Sequence, residues 1–208
     1  LMESNSVLET LNVSRETIDS FGDYVKILDK WNKKINLVSK NSMNDVWERH
    51  ISDSAQLWGF IPNNVKKWVD LGSGAGFPGL IIAALAKEKL PDLKVTLIEA
   101  DHRKCVFLNQ AASLLKVEVE ILTLRIQDCP FQDADIISAR ALAPMKTLIS
   151  YFLSHGKIKK SKGLFLKGKN INQELLEVPN LDIFKVKVVP SFLPGSGCVV
   201  AIEKKEFV

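Results

Sequence analysis

The chain has 208 residues, 46% of them apolar and 25% charged, with 11 Gly and 8 Pro, which is a globular composition at the size of one ordinary domain plus a small extension. Its longest uninterrupted apolar run, Leu80 to Ala86, falls far short of the roughly 20 residues that cross a bilayer, and no basic stretch leads into an apolar one at the N-terminus. Lys and Arg against Asp and Glu number 9 and 9 in residues 1–68, 9 and 10 in 69–150, and 10 and 5 in 151–208, so the net charge of +4 comes from a basic C-terminal quarter.

Residues 14–37 place Ile18, Phe21, Tyr24, Val25, Leu28, Trp31 and Ile35 at steps of three and four behind Ser14, which predicts an amphipathic helix with a serine N-cap. A second stripe, Val46, Trp47, His50, Ile51, Ser54, Ala55 and Trp58, predicts another helix that ends at Gly59. From Lys67 the pattern changes to short β-rich runs alternating with helical ones. Strands are expected at Trp68–Leu71, Val95–Ile98, Val119–Leu122, Asp135–Ser138 and Gly163–Leu166, with helices near Pro78–Lys89, His102–Leu115 and Met145–Leu153. This alternation implies right-handed crossovers and a parallel sheet. It stops at Ile183–Val189 and Cys198–Ile202, where the proline- and glycine-rich link suits a terminal antiparallel hairpin.

Cys105, Cys129 and Cys198 are too far apart for a zinc or dithiol motif, and His50, His102 and His155 are equally scattered, so no metal is expected. Free thiols and a cytoplasmic setting follow. Trp31, Trp47, Trp58 and Trp68 fall on apolar faces and are expected in the core, and His50 with Asp53 is expected as a buried hydrogen-bonded helix pair.

The strongest local signal is Val69-Asp70-Leu71-Gly72-Ser73-Gly74-Ala75-Gly76-Phe77-Pro78-Gly79, at the turn from the first strand into its crossover helix. Glycines there let the backbone approach a ligand, and no G-K-[ST] follows, which excludes a phosphate-cradling P-loop. The spacing Gly72-x-Gly74-x-Gly76 is not that of a dinucleotide fingerprint, and Asp70 would repel a pyrophosphate but could meet the cationic amino-acid end of S-adenosylmethionine. Glu99, just past the second strand, offers two acceptors to ribose hydroxyls, as an acid does in a NAD site also. A dinucleotide site and a glycine-rich turn without ligand are the alternatives.

The chain resembles the glucose-inhibited division protein B family of bacterial 16S ribosomal RNA methyltransferases. The resemblance rests on Trp31-Asn32 with Asn36-Leu37, Glu48-Arg49-His50-Ile51-Ser52-Asp53-Ser54, the glycine loop through Phe77-Pro78-Gly79, and Glu99-Ala100-Asp101-His102-Arg103-Lys104 with Phe107-Leu108. Leu124-Arg125-Ile126-Gln127 and Ile137-Ser138-Ala139-Arg140-Ala141 complete it. It implies a Rossmann-like class I fold: a mostly parallel seven-stranded sheet with an antiparallel C-terminal strand. An N-terminal helical extension, residues 1–64, would precede the S-adenosylmethionine-binding domain, residues 65–208. It also implies methyl transfer from S-adenosylmethionine, with S-adenosylhomocysteine as product, to N7 of a guanosine in the decoding-region loop of 16S rRNA. By position, Gly72 and Phe77 line the cofactor loop with Asp70, Gly74 and Gly76. Ile126 and Gln127 border the adenine, Glu99 takes the ribose, and Arg140 faces cofactor and substrate.

Two positions depart from the family pattern: Gln127 stands where an acid is usual, and Gly197-Cys198 where a basic residue is frequent. Guanine N7 has an in-plane lone pair and no proton to lose, so attack on a sulfonium methyl needs geometry rather than a general base, and none is evident. The order Cys129-Pro130 does not supply the nucleophile of pyrimidine C5 methylation. Phosphate contacts are expected from Lys33, Lys34, Arg125, Arg140, Lys167 and Lys169, on rRNA within the small subunit or a precursor of it, by a monomeric, membrane-free protein.

Overall fold

A computed structural model describes residues 6–62, 64–157, 160–192 and 197–205. Lys159, in the basic run of the C-terminal quarter, lies outside them. Seven strands form one sheet: β1 Lys67–Leu71, β2 Lys94–Ile98, β3 Val119–Leu122, β4 Ile136–Arg140, β5 Lys162–Lys167, β6 Phe184–Pro190 and β7 Cys198–Lys204. Their spatial order is β3-β2-β1-β4-β5-β7-β6, with β7 antiparallel to both neighbours and β1 to β5 parallel. This is the expected Rossmann-like sheet, mostly parallel and with an antiparallel strand near its C-terminal edge.

Helices cover both faces. The chain opens with α1 Ser6–Thr10, α2 Arg15–Asn32 and α3 Lys40–Asn44. After the irregular segment described below, with α4 at Asp53–Ala55, come α5 Gly79–Lys89, α6 His102–Leu115, α7 Met145–His155 and α8 Ile171–Leu176. Alternate strand residues point to opposite faces and feed two cores. Trp68, Ile136 and Leu164 pack with α5, α6 and the N-terminal helices, while Val69, Ile137 and Phe165 pack with α7 and α8. The apolar run Leu80–Ala86 lies in α5 and is buried on every side, because the N-terminal helices cover the face that the sheet does not. α2 is tied down at its start and in its middle. The hydroxyls of Ser14 and Thr17 donate to Glu88 at the end of α5, and the Tyr24 hydroxyl donates to the Ala75 carbonyl in the glycine loop. Among the described residues no helix is long and apolar enough to cross a membrane.

Two sequence expectations need correction. The first helix stops at Asn32, not near residue 37, although Ser14 caps it as expected by accepting from Thr17 N at 3.1 Å. Asn32 Oδ1 accepts from the backbone of Leu37 at 2.9 Å and Val38 at 3.0 Å, and its Nδ2 donates to the Val38 carbonyl at 3.0 Å, so the side chain competes with the helix ladder. The second stripe is not one regular helix: a π-helical turn, Trp47–Ser52, runs through α4 into a 3-10 turn, Gln56–Phe60, one residue past the expected stop. Periodicity marks a buried helical face but not its pitch.

Candidate functional site

In a parallel sheet the loops at the carboxyl ends of the strands share one edge, and a crevice opens where the strand order reverses, here between β1 and β4. A cavity of about 380 Å³ lies there. It is walled by Gly72 and Gly74 after β1, Glu99 after β2, Ile126 and Gln127 after β3, and Arg140 at the end of β4. Arg125 and Lys104 stand at its rim, and Leu142 and Tyr151 close the α7 side.

The glycine loop is shaped by left-handed backbone. Gly72, Gly74 and Gly76 have φ of 63°, 55° and 90°. At Gly72 a Cβ would also meet Leu142 Cδ1 at 2.5 Å, so glycine here serves both the turn and the close approach of the β4–α7 loop. Glu99 holds this loop from below: Oε2 accepts from Gly74 N at 2.9 Å and Oε1 from Asp101 N at 2.8 Å. Each oxygen has a second lone pair beyond these bonds, and Glu99 itself lines the cavity.

Asp70, Gly76 and Phe77, expected around the ligand, lie behind the wall. Asp70 is 0% exposed; its register partner in β4 is Ser138, whose hydroxyl donates to Asp70 Oδ1 at 2.7 Å, and Gly79 N donates to Oδ2 at 3.2 Å. Trp68 Nε1 in turn donates to Ser138 Oγ at 2.8 Å. Burial lifts the Asp70 pKa to about 6 even though the bonds from Ser138, Ser73 and Gly79 pull it back. The carboxylate thus braces the loop and the α5 N-terminus. Phe77 is packed between Tyr24, edge-on at 5.5 Å, and His50, stacked at 4.8 Å, with a cis peptide to Pro78.

The expected His50–Asp53 pair does not form. Asp53 Oδ2 instead accepts from Arg140 Nη1 at 2.5 Å, and Oδ1 from Ser191 Oγ at 2.9 Å and Gln56 Nε2 at 2.5 Å. Both His50 ring nitrogens are buried with no hydrogen-bond partner. Burial, with the Arg140 and Arg49 charges, presses the His50 pKa down to about 3, so the ring is neutral. A π turn holds more residues than an α turn, so positions i and i+3 no longer share a face.

The basic candidates divide. Lys34, Lys169 and Arg125 are exposed, and Lys33 is exposed and ion-paired with Asp29 at 2.7 Å. Lys167 is not on the open surface: 9% exposed, it pairs with Glu174 at 2.7 Å and donates to the Ala143 carbonyl at 2.9 Å, while Glu174 also accepts from Met145 N. It secures the start of α7. Lys157 and Lys162 pair with Asp135 and Glu203, so part of the C-terminal basic excess is neutralised. Among the described residues no three His, Cys, Asp or Glu side chains group as a metal site, and the three cysteines are free thiols.

Sequence reading missed Lys104, Leu142 and Tyr151. Lys104 had a readable signal, since it follows the helix N-cap Asp101 in the first turn of α6. Tyr151, in the middle of α7, had none.

The family model for rRNA small subunit methyltransferase G, GidB, matches residues 17–198. A ribosomal RNA small subunit methyltransferase G from Jannaschia sp. (strain CCS1) is 47% identical over 188 residues, covering 90% of this chain and 89% of that protein. One from Parvibaculum lavamentivorans is 40% identical over 205 residues, covering 97% and 89%. Among solved structures, a SAM-dependent methyltransferase from Aquifex aeolicus superposes with a TM-score of 0.58 at 16% identity, covering 87% of this chain and 96% of that one, and shares the fold. With a family match that spans most of α2, the glycine loop and Arg140 alike, the chain belongs to the rRNA small subunit methyltransferase G family.

Proposed function

We propose that this chain transfers a methyl group from S-adenosylmethionine to N7 of a guanosine in the decoding-region loop of 16S rRNA, by direct attack without a general base. The observation that carries the reading is that, among the described residues, the cavity lining holds a single carboxylate, Glu99, and no histidine or cysteine. Glu99 accepts from two backbone N–H groups, Asp70 from Ser138 and Gly79, and Asp53 from Arg140, Gln56 and Ser191. Glu99 is held as a backbone acceptor and Asp70 and Asp53 stand outside the lining, so the cavity presents no dedicated general base. A nucleophile that has no proton to lose suits such a site, and guanine N7 is one.

The residues present fit the cofactor. The left-handed glycine loop leaves room against the backbone, Glu99 keeps one lone pair on each oxygen for vicinal hydroxyls, and Ile98, Ile126 and Leu142 give apolar faces to a purine within a volume suited to a small ligand. Bound there, S-adenosylmethionine supplies an electrophilic sulfonium methyl. The chain's own part is orientation: Gly72 and Gly74 set the loop, Asp70 braces it from behind, Gln127 offers both a carbonyl and an amide to an adenine edge, and Arg140 stands between the cofactor cavity and the acceptor side.

Residues 1–64 act as an extension that completes residues 65–208, the methyltransferase domain. Arg125, Lys33, Lys34 and Lys169 serve as phosphate-facing cations, with the small subunit or a precursor as physical substrate and a monomer in the cytoplasm as the working form. The test is transfer of labelled methyl to small subunits from cells lacking this enzyme, beside protein-free 16S rRNA, followed by digestion to nucleosides. Label is expected as 7-methylguanosine at one site, more from subunits than from naked RNA. Label on any other nucleoside, or none with a chain that binds S-adenosylhomocysteine, overturns the assignment.

A further inference from the structure

We infer that Asp53 is a specificity-determining residue that accepts a hydrogen bond from the N1–H, N2–H edge of the acceptor guanine, in a recess beside the cofactor cavity; this deepens the guanine-N7 reading and rests on it. The recess, of about 130 Å³, is lined by Asp53, Arg140, Ala141, Leu166, Lys167 and Gly168. It has Arg140 and Ala141 in common with the larger cavity, so the two spaces meet across one pair of residues. Room for about four waters, at roughly 30 Å³ each, suits one planar heterocycle and not a stretch of backbone.

Charge decides which part of a nucleotide fits. The two cations are neutralised in place, Arg140 by Asp53 at 2.5 Å and Lys167 by Glu174 at 2.7 Å. A phosphate finds no uncompensated positive charge on this lining, whereas a neutral base finds a donor, an acceptor and the apolar faces of Ala141 and Leu166. RNA enzymes that act on a base commonly take it out of the stack into such a pocket. An ionised carboxylate is an acceptor only, with about four lone-pair positions. Asp53 uses one on Oδ2 for Arg140 and two on Oδ1 for Ser191 and Gln56, which leaves one on Oδ2, beside Arg140. Guanine presents donors at N1 and N2 with the O6 acceptor next to them. Adenine presents a bare N1 lone pair, which that carboxylate repels. With N1–H and N2–H sharing that one acceptor oxygen, and a second guanidinium N–H of Arg140 donating to O6, the guanine has N7 unbound and free to react, and removal of the N2 amine takes away one of the two donors.

Asp53 stands in α4 of the N-terminal helical segment, outside the sheet that the chain shares with the wider fold. Its bond to Arg140 spans 87 residues and brings that segment to the end of β4. The methyltransferase sheet would supply the cofactor cavity, and the extension the reading of the acceptor base.

The test uses the full chain and reconstituted small subunits whose 16S rRNA carries guanosine or inosine at the target position. Inosine keeps N7, O6 and N1–H but lacks the N2 amine. With the wild-type chain, kcat/KM for inosine is expected to fall about tenfold or more. In Asp53→Asn the amide can turn an N–H toward the base, so guanosine turnover drops and the guanosine-to-inosine ratio collapses toward one. Equal turnover of the two nucleosides by the wild type overturns the assignment of Asp53 and leaves the N7 reading standing. So does an Asp53→Asn chain that loses both activities in proportion, since that outcome marks a purely structural support of Arg140. Absence of 7-methylguanosine from guanosine subunits fails the underlying reading instead. The wild-type arm requires no variant to fold.

Discussion

The two walls of the cavity are built in opposite ways. On the β1 side, eight consecutive residues from Gly72 to Gly79 make the loop, and its shape is local: left-handed glycines, a proline entering α5, and Glu99 holding Gly74 from the next strand. On the β4 side, Arg140 is set by Asp53 from another part of the chain, Asp53 by Gln56 and Ser191, and the start of α7 by Glu174 and Lys167. A local wall tolerates change at a distance and fails at single glycines. A wall assembled from long-range polar pairs fails when one partner goes, because the other is left buried with its charge.

The largest effect is therefore expected on the β4 side. Arg140→Ala strands Asp53, whose side chain is 7% exposed, and removes a cavity residue at the same time. A stability loss of about 3 kcal/mol is expected, seen as a fall in urea midpoint, together with loss of most methyl transfer. An Arg140→Ala chain as stable as wild type would show that the pair is not a support of that wall. On the β1 side, Gly72→Ala puts a Cβ at a φ of 63° and into Leu142. The backbone cost is about 1–2 kcal/mol, so affinity for S-adenosylhomocysteine should fall about tenfold by calorimetry. Gly59, with nothing within 4 Å of an added Cβ and no left-handed φ, gives the control: Gly59→Ala should change stability by less than about 0.5 kcal/mol and leave affinity unaltered.

The contrast also explains what the sequence made legible. The sheet, its parallel strands and the terminal antiparallel strand follow from period-two and period-3.6 patterns, and the glycine loop with Glu99 follows from spacing, since each depends on neighbours in the chain. The match of Asp53 with Arg140 depends on how α4 meets β4, and the π turn that sets Asp53's direction leaves no mark in hydrophobic periodicity. Hence helix spacing alone pairs His50 with Asp53, and charge alone places Lys167 on the surface, although Glu174 and the Ala143 carbonyl hold it inside.

His50 allows a test between the walls, because it stacks on Phe77 of one and lies near Arg140 of the other. Its pKa is depressed from 6.5 to about 3, so below pH 6.5 the unfolded chain binds a proton that the folded one refuses. Stability contributed by the neutral ring is complete above pH 6.5 and is lost as the pH falls toward 3, at about 1.4 kcal/mol per pH unit. Asp70, raised from 3.8 to about 6, works the other way: the folded protein holds the extra proton, so its share of stability is lost as the pH rises through 6. His50→Phe keeps an aromatic ring against Phe77 and removes the histidine's share alone. The stability of the variant relative to wild type should rise by about 1.4 kcal/mol between pH 7.5 and pH 5.5 in urea titrations. An unchanged difference would mean that the ring takes up its proton in the folded protein.

The smallest effect belongs to the exposed cations, which serve neither wall. Lys169 lies just past β5 beside Gly168 of the recess, and Lys33 is already paired with Asp29 on α2. If Lys169 neutralises one phosphate, Lys169→Ala should weaken subunit binding a few-fold and lower the slope of log affinity against log salt by about 0.7–0.9. Lys33→Ala should change that slope less, because the ion pair with Asp29 competes with a phosphate for the same ammonium. A larger slope change at Lys33 than at Lys169 would move the RNA path from the β5 edge to the outer face of α2. The acceptor base would then have to reach Arg140 from the side of the N-terminal helices.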